Sequence, residues 1–278
     1  MSPDRSGLLR SPEKKDWAEF FVLADGEGWR IPEVERRLLQ STWTASVRAL
    51  IASDRFCGLV SAIAHEQSGW IGNLIVPPTL RGQGYGLHLF KWALNSLLER
   101  GRQSLWLTAS EQGRPIYEKE GFSVVDHIER WSLPPGHWRT EETGIADAVT
   151  VTLFDLDRAA WDENRQPFLA PLVGGNLVAA RNESAALLQR ERAMQIIGPW
   201  YSRDLCLHAN RVVLHQLLAS ADPSVEIVTD VLASSPLSAL LAAAQFKKVG
   251  QAALMVYGDR SAIDLSSMVS LASLGSVG

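Results

Sequence analysis

A mixed α/β fold is predicted for this chain: two similar halves in tandem, each a central, mostly antiparallel sheet flanked by helices. Three observations predict it. Apolar runs of strand length alternate with amphipathic stretches of helix length. One strand runs into two prolines and then three glycines, in "NLIVPPTLRGQGYG" at Asn73–Gly86. The order of elements in the first half returns in the second at an offset of roughly 125 residues.

The first half reads as two helices, three strands, a glycine loop, then helix, strand, helix and strand. Ser11-Pro12-Glu13 looks like a helix start, with a serine N-cap and a proline at the first helical position. That helix is expected to reach about Ala24, with Gly26 ending it, and a second one to run from Pro32 to about Leu39. Strands follow at 46–52 and 56–64. The turn "HEQSG" at His65–Gly69 leads into a third strand, Trp70–Val76. Beyond the glycines, Leu87, Phe90, Leu94, Leu97 and Leu98 repeat at helical spacing, and Gly101 suits the C′ position. Ser104–Thr108 is a strand, "GRPIYEKEGF" a short helix, and "SVVDHIERWSL" a strand.

Pro134-Pro135-Gly136 and the polar "RTEETG" then break the pattern. The predicted organisation is a first domain over 1–134, a linker over 135–146, a second domain over 147–260 and a loose tail over 261–278. In the second half Ile197-Gly198 echoes Ile71-Gly72, "NRVVLHQLLAS" the long helix, "VEIVTDVL" its following strand, and "AAAQFKKVG" the "YEKEGFSVV" segment. Ser235-Pro236 reads as another capped helix start.

Composition narrows the function classes. The 278 residues carry a net charge of −4, which argues against nucleic-acid binding, since that needs a positive surface to release counterions. No apolar stretch is long enough to span a membrane, and the start has no apolar signal core. Cys57 and Cys206 lack metal-ligand spacing and read as buried free thiols of a cytoplasmic protein. No metal site is expected.

The glycine loop carries the chemistry. Proline cannot continue a sheet interior, and glycine lets the backbone turn tightly without a Cβ to hold a ligand away. The helix beginning near Tyr85 turns its unpaired N–H groups toward that loop, an arrangement that attracts phosphate. Arg81 adds a cation. A P-loop requires Lys and Ser/Thr after its last glycine, but Leu87 follows Gly86. The dinucleotide fingerprint requires glycines at its first, third and sixth positions, and counting from Gly82 the sixth is Leu87. The pattern Arg/Gln-x-x-Gly-x-Gly/Ala fits Arg81-Gly82-Gln83-Gly84-Tyr85-Gly86 at every specified position.

With the strand before it, the long helix after it and "YEKEGF" downstream, this loop resembles the acetyl-CoA loop of the GCN5-related N-acetyltransferases. The resemblance covers residues from about 10 to 133. The tract "LTASEQGRPIYEKEGF…IERW" is similar to a bacterial subgroup with two tandem acetyltransferase-like halves. It implies transfer of an acetyl group from acetyl-CoA to an amine by direct attack. Leu74, Ile75 and Val76 would pair with the pantetheine arm through their main chain, and the backbone of Gly82, Gln83, Gly84, Tyr85 and Gly86, with Arg81, would hold the pyrophosphate. Tyr117 matches the family tyrosine that protonates the leaving thiolate. Many members place a glutamate on the strand before the loop. "WIGNLIV" has none, so Asn73 and Trp29 stand as acceptor-side candidates, and a water can serve as base. His65 and Glu66 read as exposed turn residues.

The second half has no glycine between Gly198 and Gly250, and Leu241 falls where Tyr117 falls. It is expected to bind no CoA and to shape the acceptor pocket, with Trp200, Tyr201 and Asp204 within reach. The expected acceptor is a small-molecule or amino-acid-like amine. A protein or peptide acceptor, and a CoA-binding sensor without turnover, are the competing readings. A monomer or a homodimer fits equally.

Overall fold

The computed structural model describes residues 7–136 and 152–278. Nearly all of the expected linker therefore lies outside the described residues. Packing divides the chain at Leu107/Thr108 into two compact units, the first also taking Val277 and the second Gly278.

The first unit holds β1 (Leu8–Arg10), α1 (Lys14–Gly26), α2 (Glu33–Gln40), β2 (Val47–Ala52), β3 (Arg55–Ala64), β4 (Ser68–Ile75), α3 (Tyr85–Glu99) and most of β5 (Ser104–Ala109). Its strands lie in the order β1-β2-β3-β4-β5. Neighbours are antiparallel, save for parallel β4 and β5. Ser11 is not the cap of α1. The helix begins three residues later, where Asp16 accepts the Glu13 N–H at 2.6 Å and is itself gripped by Arg10 Nη1 at 2.6 Å. The buried carboxylate outcompetes a serine because it satisfies the helix start and an arginine together. At the other end the helix stops at Gly26, the expected glycine, and the chain turns away at Gly28, with φ +73° and the Trp29 N–H on Ala24 O.

The stripe α3 buries is Leu89, Phe90, Ala93, Leu94 and Leu97, while Leu87 and Leu98 stay 38% exposed. Gly69 lies directly beneath it, where a Cβ would come within 2.8 Å of Leu97. Gly101 ends α3 as expected, at φ +74° with the Arg102 N–H on Leu97 O.

The second unit contains α4 (Arg114–Lys119), β6 (Ser123–Leu133), α5 (Leu153–Trp161), α6 (Gln166–Val173), β7 (Leu177–Arg181), β8 (Ser184–Arg190), β9 (Gln195–Ser202), α7 (Leu207–Ser220), β10 (Ile227–Leu232), α8 (Ser238–Ala243), β11 (Lys247–Gly258) and β12 (Met268–Ser270). Strand order is β11-β6-β10-β12-β9-β8-β7. Its core gathers Trp200, Val213, Leu214, Leu217, Ile227 and Val269. Cys57 of the first unit is buried and Cys206 half-buried, both as free thiols.

Two features of this unit depart from the expectation. First, β6 belongs by sequence to the first half, yet it lies between β10 and β11, antiparallel to both. An ion pair fixes it there: Arg130 Nε and Nη2 donate to the buried Asp230 carboxylate at 2.8 and 2.7 Å, and Nη2 also donates to Leu274 O at 3.0 Å. Second, the end of the chain is no loose tail. β12 pairs with β9 and β10, the Leu271 N–H donates to Asp230 O, and residues 267–273 are buried. Serines, alanines and glycines carry almost no hydrophobic periodicity, so the pattern missed it. Small residues are nonetheless what a crowded sheet interior accepts.

Gly198 shows how tight this seam is. A Cβ there would meet Leu271 O at 2.1 Å, and backbone cannot move aside cheaply. Gly198→Ala is expected to destabilise the protein by about 3 kcal/mol or more. Thermal or urea unfolding reads it directly, and an unchanged midpoint would count against the seated tail.

Element order recurs between the halves, down to one turn. The Phe122 N–H donates to Tyr117 O and the Phe246 N–H to Leu241 O, each at 3.0 Å. The residue before each phenylalanine has positive φ, Gly121 at +94° and Gln245 at +69°. The helix expected at Ser235-Pro236 begins three residues later, at Ser238, with Ser235 Oγ accepting the Leu237 N–H at 3.4 Å.

Candidate active site

In the first unit the site is built around the end of β4. The β4–β5 ladder runs through three pairs, Ser68↔Ser104, Gly69↔Leu105 and Trp70↔Trp106, and stops. On its other edge β4 follows β3 to Ser61↔Gly72, then slips, so that Ile75 faces Leu59. Asn73 sits in the slip at φ +55°, a conformation asparagine tolerates better than most residues. Its side chain is buried and Nδ2 donates to Ser61 Oγ at 3.0 Å. The main chain of Leu74, Ile75 and Val76, beyond the bulge, lies outside the parallel ladder. Gly58 allows β3 to stay close there: a Cβ would lie 2.4 Å from Ile75 O.

Past Pro77 a 3₁₀ turn at Pro78–Leu80 leads into the glycines. Gly82 and Gly84 take φ +75° and +92°, and Gly84 is the residue from which α3 starts. A Cβ built on either meets nothing within 4 Å. The glycines are thus required by the backbone turn, and the space beside them is open. No side chain caps α3, so its first-turn N–H groups face the loop. Gln83 donates to Thr79 O at 3.2 Å, and Tyr85 is buried in the core, so its contribution to the loop is its backbone.

Arg81 is more tightly held than a free cation. Its Nε donates to Val76 O at 3.1 Å and its Nη2 to Glu27 Oε1 at 2.5 Å. Glu27 ends α1, so the arginine ties that helix to the end of β4. Nothing in the sequence pattern pointed to Glu27, whose role depends on contact across 54 positions. Beside this clasp lies a groove of about 560 Å³, walled by Ala18, Glu19, Val22 and Leu23 of α1, Asp54, Arg55 and Phe56, and Pro77 and Leu80. Trp29 follows α1 and is half-buried. His65 is 9% exposed, against the expectation of a solvated turn residue, and its main-chain N–H closes the β3–β4 turn on Ser68 O.

Tyr117 lies in the second unit, on α4. Desolvation pushes its phenol up to about 12. Its ring lies over the Gly113 backbone, where a Cβ would be 3.3 Å from Cε2 and 3.6 Å from the hydroxyl. The first unit therefore carries Asn73 to Val76 and Arg81 to Gly86 on one strand–loop–helix run, with Trp29 just past α1, while Tyr117 is built by other elements.

The counterpart of the loop in the second half is differently made. Leu205 has φ +49°, and the Asp204 carboxylate accepts the Cys206 N–H at 3.1 Å where α7 begins. The turn before α7 is thus held by an acid rather than by glycines. Trp200 and Tyr201 are packing: Trp200 Nε1 donates to Asn210 Oδ1 at 2.8 Å, and Tyr201 OH donates to buried Asp157 at 2.5 Å. Among the described residues no helix is long and apolar enough to cross a membrane, and no three His, Cys, Asp or Glu side chains cluster as metal ligands.

Comparison with known proteins agrees with this geometry. Residues 32–130, from the approach to α2 through most of β6, match the acetyltransferase (GNAT) domain family. Over 99 residues the chain is 29% identical to the [ribosomal protein bS18]-alanine N-acetyltransferase of Haemophilus influenzae, covering 35% of this chain and 68% of that one. In fold it resembles a protein of Pyrococcus horikoshii described as an acetyltransferase, with a TM-score of 0.79 and 16% identity over 97% of this chain and 95% of that one. A GCN5-related N-acetyltransferase of Sphaerobacter thermophilus gives a TM-score of 0.64 at 16% identity, over 96% of this chain and 100% of the other. A β4 that leaves its parallel neighbour and a glycine loop open at both positive-φ positions lie within residues 32–130, which form an acetyltransferase (GNAT) domain.

Proposed function

We propose that the acetyl group passes to the amine of a small-molecule or amino-acid-like acceptor, by direct attack on the thioester. The observation that carries the reading is the loop: two left-handed glycines with open space at the start of an uncapped helix. In this reading the backbone of Gly82 to Gly86 holds the pyrophosphate, with Arg81 alongside, and the main chain of Leu74, Ile75 and Val76 pairs with the pantetheine arm. Tyr117, assigned from the family pattern, protonates the departing thiolate. β4 carries no acid, so the amine loses its proton to water.

A protein acceptor is the second reading, favoured by the relative that acetylates an alanine of a ribosomal protein. Thermal-shift screening with acetyl-CoA present, adding amines one at a time, followed by free-thiol release on small amines and on peptides, separates the two. Turnover on peptides alone would overturn the small-amine reading. Acetyl-CoA binding without thiol release from any amine would indicate a sensor.

Arg81 supplies a partly exposed charge whose Nη1 is left for a phosphate. Arg81→Ala is expected to raise KM for acetyl-CoA by about three- to tenfold with kcat little changed, the size of one exposed charge-assisted contact. Its effect should shrink at high salt. Steady-state kinetics at two ionic strengths check both points.

A further inference from the structure

We infer that Tyr257, at the end of β11, is a positioning residue for the reaction: its ring sets the Gly121-Phe122 turn that orients Tyr117, so the second half of the chain builds the seat of the acid. The inference rests on the reading of Tyr117 as that acid.

α4 is six residues long, too short to hold a shape by itself. Arg114, Pro115, Ile116, Glu118 and Lys119 are all exposed, and Tyr117 alone within the helix is partly buried. Its direction must therefore come from the turns at its two ends. In the turn before it, the Gly113 and Arg114 N–H groups donate to Ser110 O at 3.1 and 2.9 Å. The Gly121 and Phe122 N–H groups close the helix on Glu118 O and Tyr117 O at 3.1 and 3.0 Å. Phe122 is buried, with its ring centroid 6.4 Å from that of Tyr117 and 5.6 Å from that of Tyr257. The Tyr257 ring also covers Gly121, where a Cβ would stand 3.2 Å from Cε2 and 3.3 Å from Cδ2.

The equivalent turn after α8 is less extreme: Gln245 takes φ +69° with a full side chain, against +94° at Gly121. Gly121 therefore answers to two constraints, its backbone angle and the ring of Tyr257 packed over it. Register supports the same geometry: Val256 faces Ser123 and Met255 faces Val124, which brings Tyr257 level with Phe122. In the second half the matching helix carries buried Leu241 in place of a phenol. The turn is reused there without the acid.

The test uses the full chain and reads kcat and KM separately. Tyr257→Ala is expected to lower kcat about tenfold or more, since small misplacements of a reacting group are costly, while KM for acetyl-CoA moves less than about twofold. Tyr257→Phe should restore wild-type turnover, because the ring is what touches Gly121 and Phe122. In a Tyr117→Phe background Tyr257→Ala should have no further effect. Gly121→Ala, which presses a methyl on the same ring, should reproduce the kcat-selective loss if Tyr257→Ala folds poorly. Unchanged kcat in Tyr257→Ala, or losses that multiply with Tyr117→Phe, would overturn the inference. Intact turnover in Tyr117→Phe would remove the acid itself, and the inference with it, whatever Tyr257→Ala shows.

Discussion

Gly84→Val is expected to abolish acetyl-CoA binding while leaving the protein folded. Gly84 sits at φ +92° at the start of α3. A β-branched residue is among the least suited to that angle, so the substitution costs on the order of 1–3 kcal/mol in strain. The side chain itself meets nothing, since a Cβ there has no neighbour within 4 Å. That combination is informative. Nothing in the fold fills the space beside Gly84, so a methyl group there obstructs a ligand before it obstructs the protein. Valine would both occupy the cradle and swing the Tyr85 and Gly86 amides away from a bound phosphate. Loss of about 100-fold or more in affinity, with a modest drop in thermal midpoint, is the expected result by calorimetry and thermal shift. Unchanged affinity would remove the loop from the site.

Tyr117→Phe is expected to lower kcat by about 10²- to 10⁴-fold, the usual contribution of a positioned general acid. KM for acetyl-CoA should barely move, because the ring and its packing on Phe122 remain. The pH dependence has a definite sign. Burial disfavours the phenolate and pushes the group up to about 12, so Tyr117 stays protonated, and able to donate, throughout the neutral and mildly alkaline range. kcat should therefore rise with pH as the acceptor amine deprotonates, with no alkaline fall from Tyr117 below about pH 10. The stability linked to this phenol is present below its ordinary unfolded value near 10 and is lost between there and about 12. A wild-type kcat limb falling between pH 7 and 9 and absent from Tyr117→Phe would contradict this assignment.

Local chemistry was the most legible part of the sequence. Glycine and proline announce backbone angles directly, so the loop at Arg81–Gly86, the end of α3 at Gly101 and the turn at Gly121 lie where their residues put them. β6 spans Ser123–Leu133, the eleven residues read as a strand. What did not show was partnership across the chain. A strand's pattern says which face is buried but not which neighbour it takes, so the place of β6 beside β10 and β11 was hidden. The Arg81–Glu27 and Arg130–Asp230 pairs were hidden for the same reason: charge pairing depends on distance, and sequence spacing carries none of it. The small-residue segment around β12 had no periodicity to read. Asn73 was singled out as the place where an acid was missing. Its positive φ gives it a second role, as the residue of the bulge before the end of β4.

If one glycine loop, in the first half only, binds the acetyl donor, calorimetric titration of the full chain with acetyl-CoA will show one equivalent bound per chain, lost in Gly84→Val. Two equivalents, or one that survives in Gly84→Val, would place donor binding elsewhere.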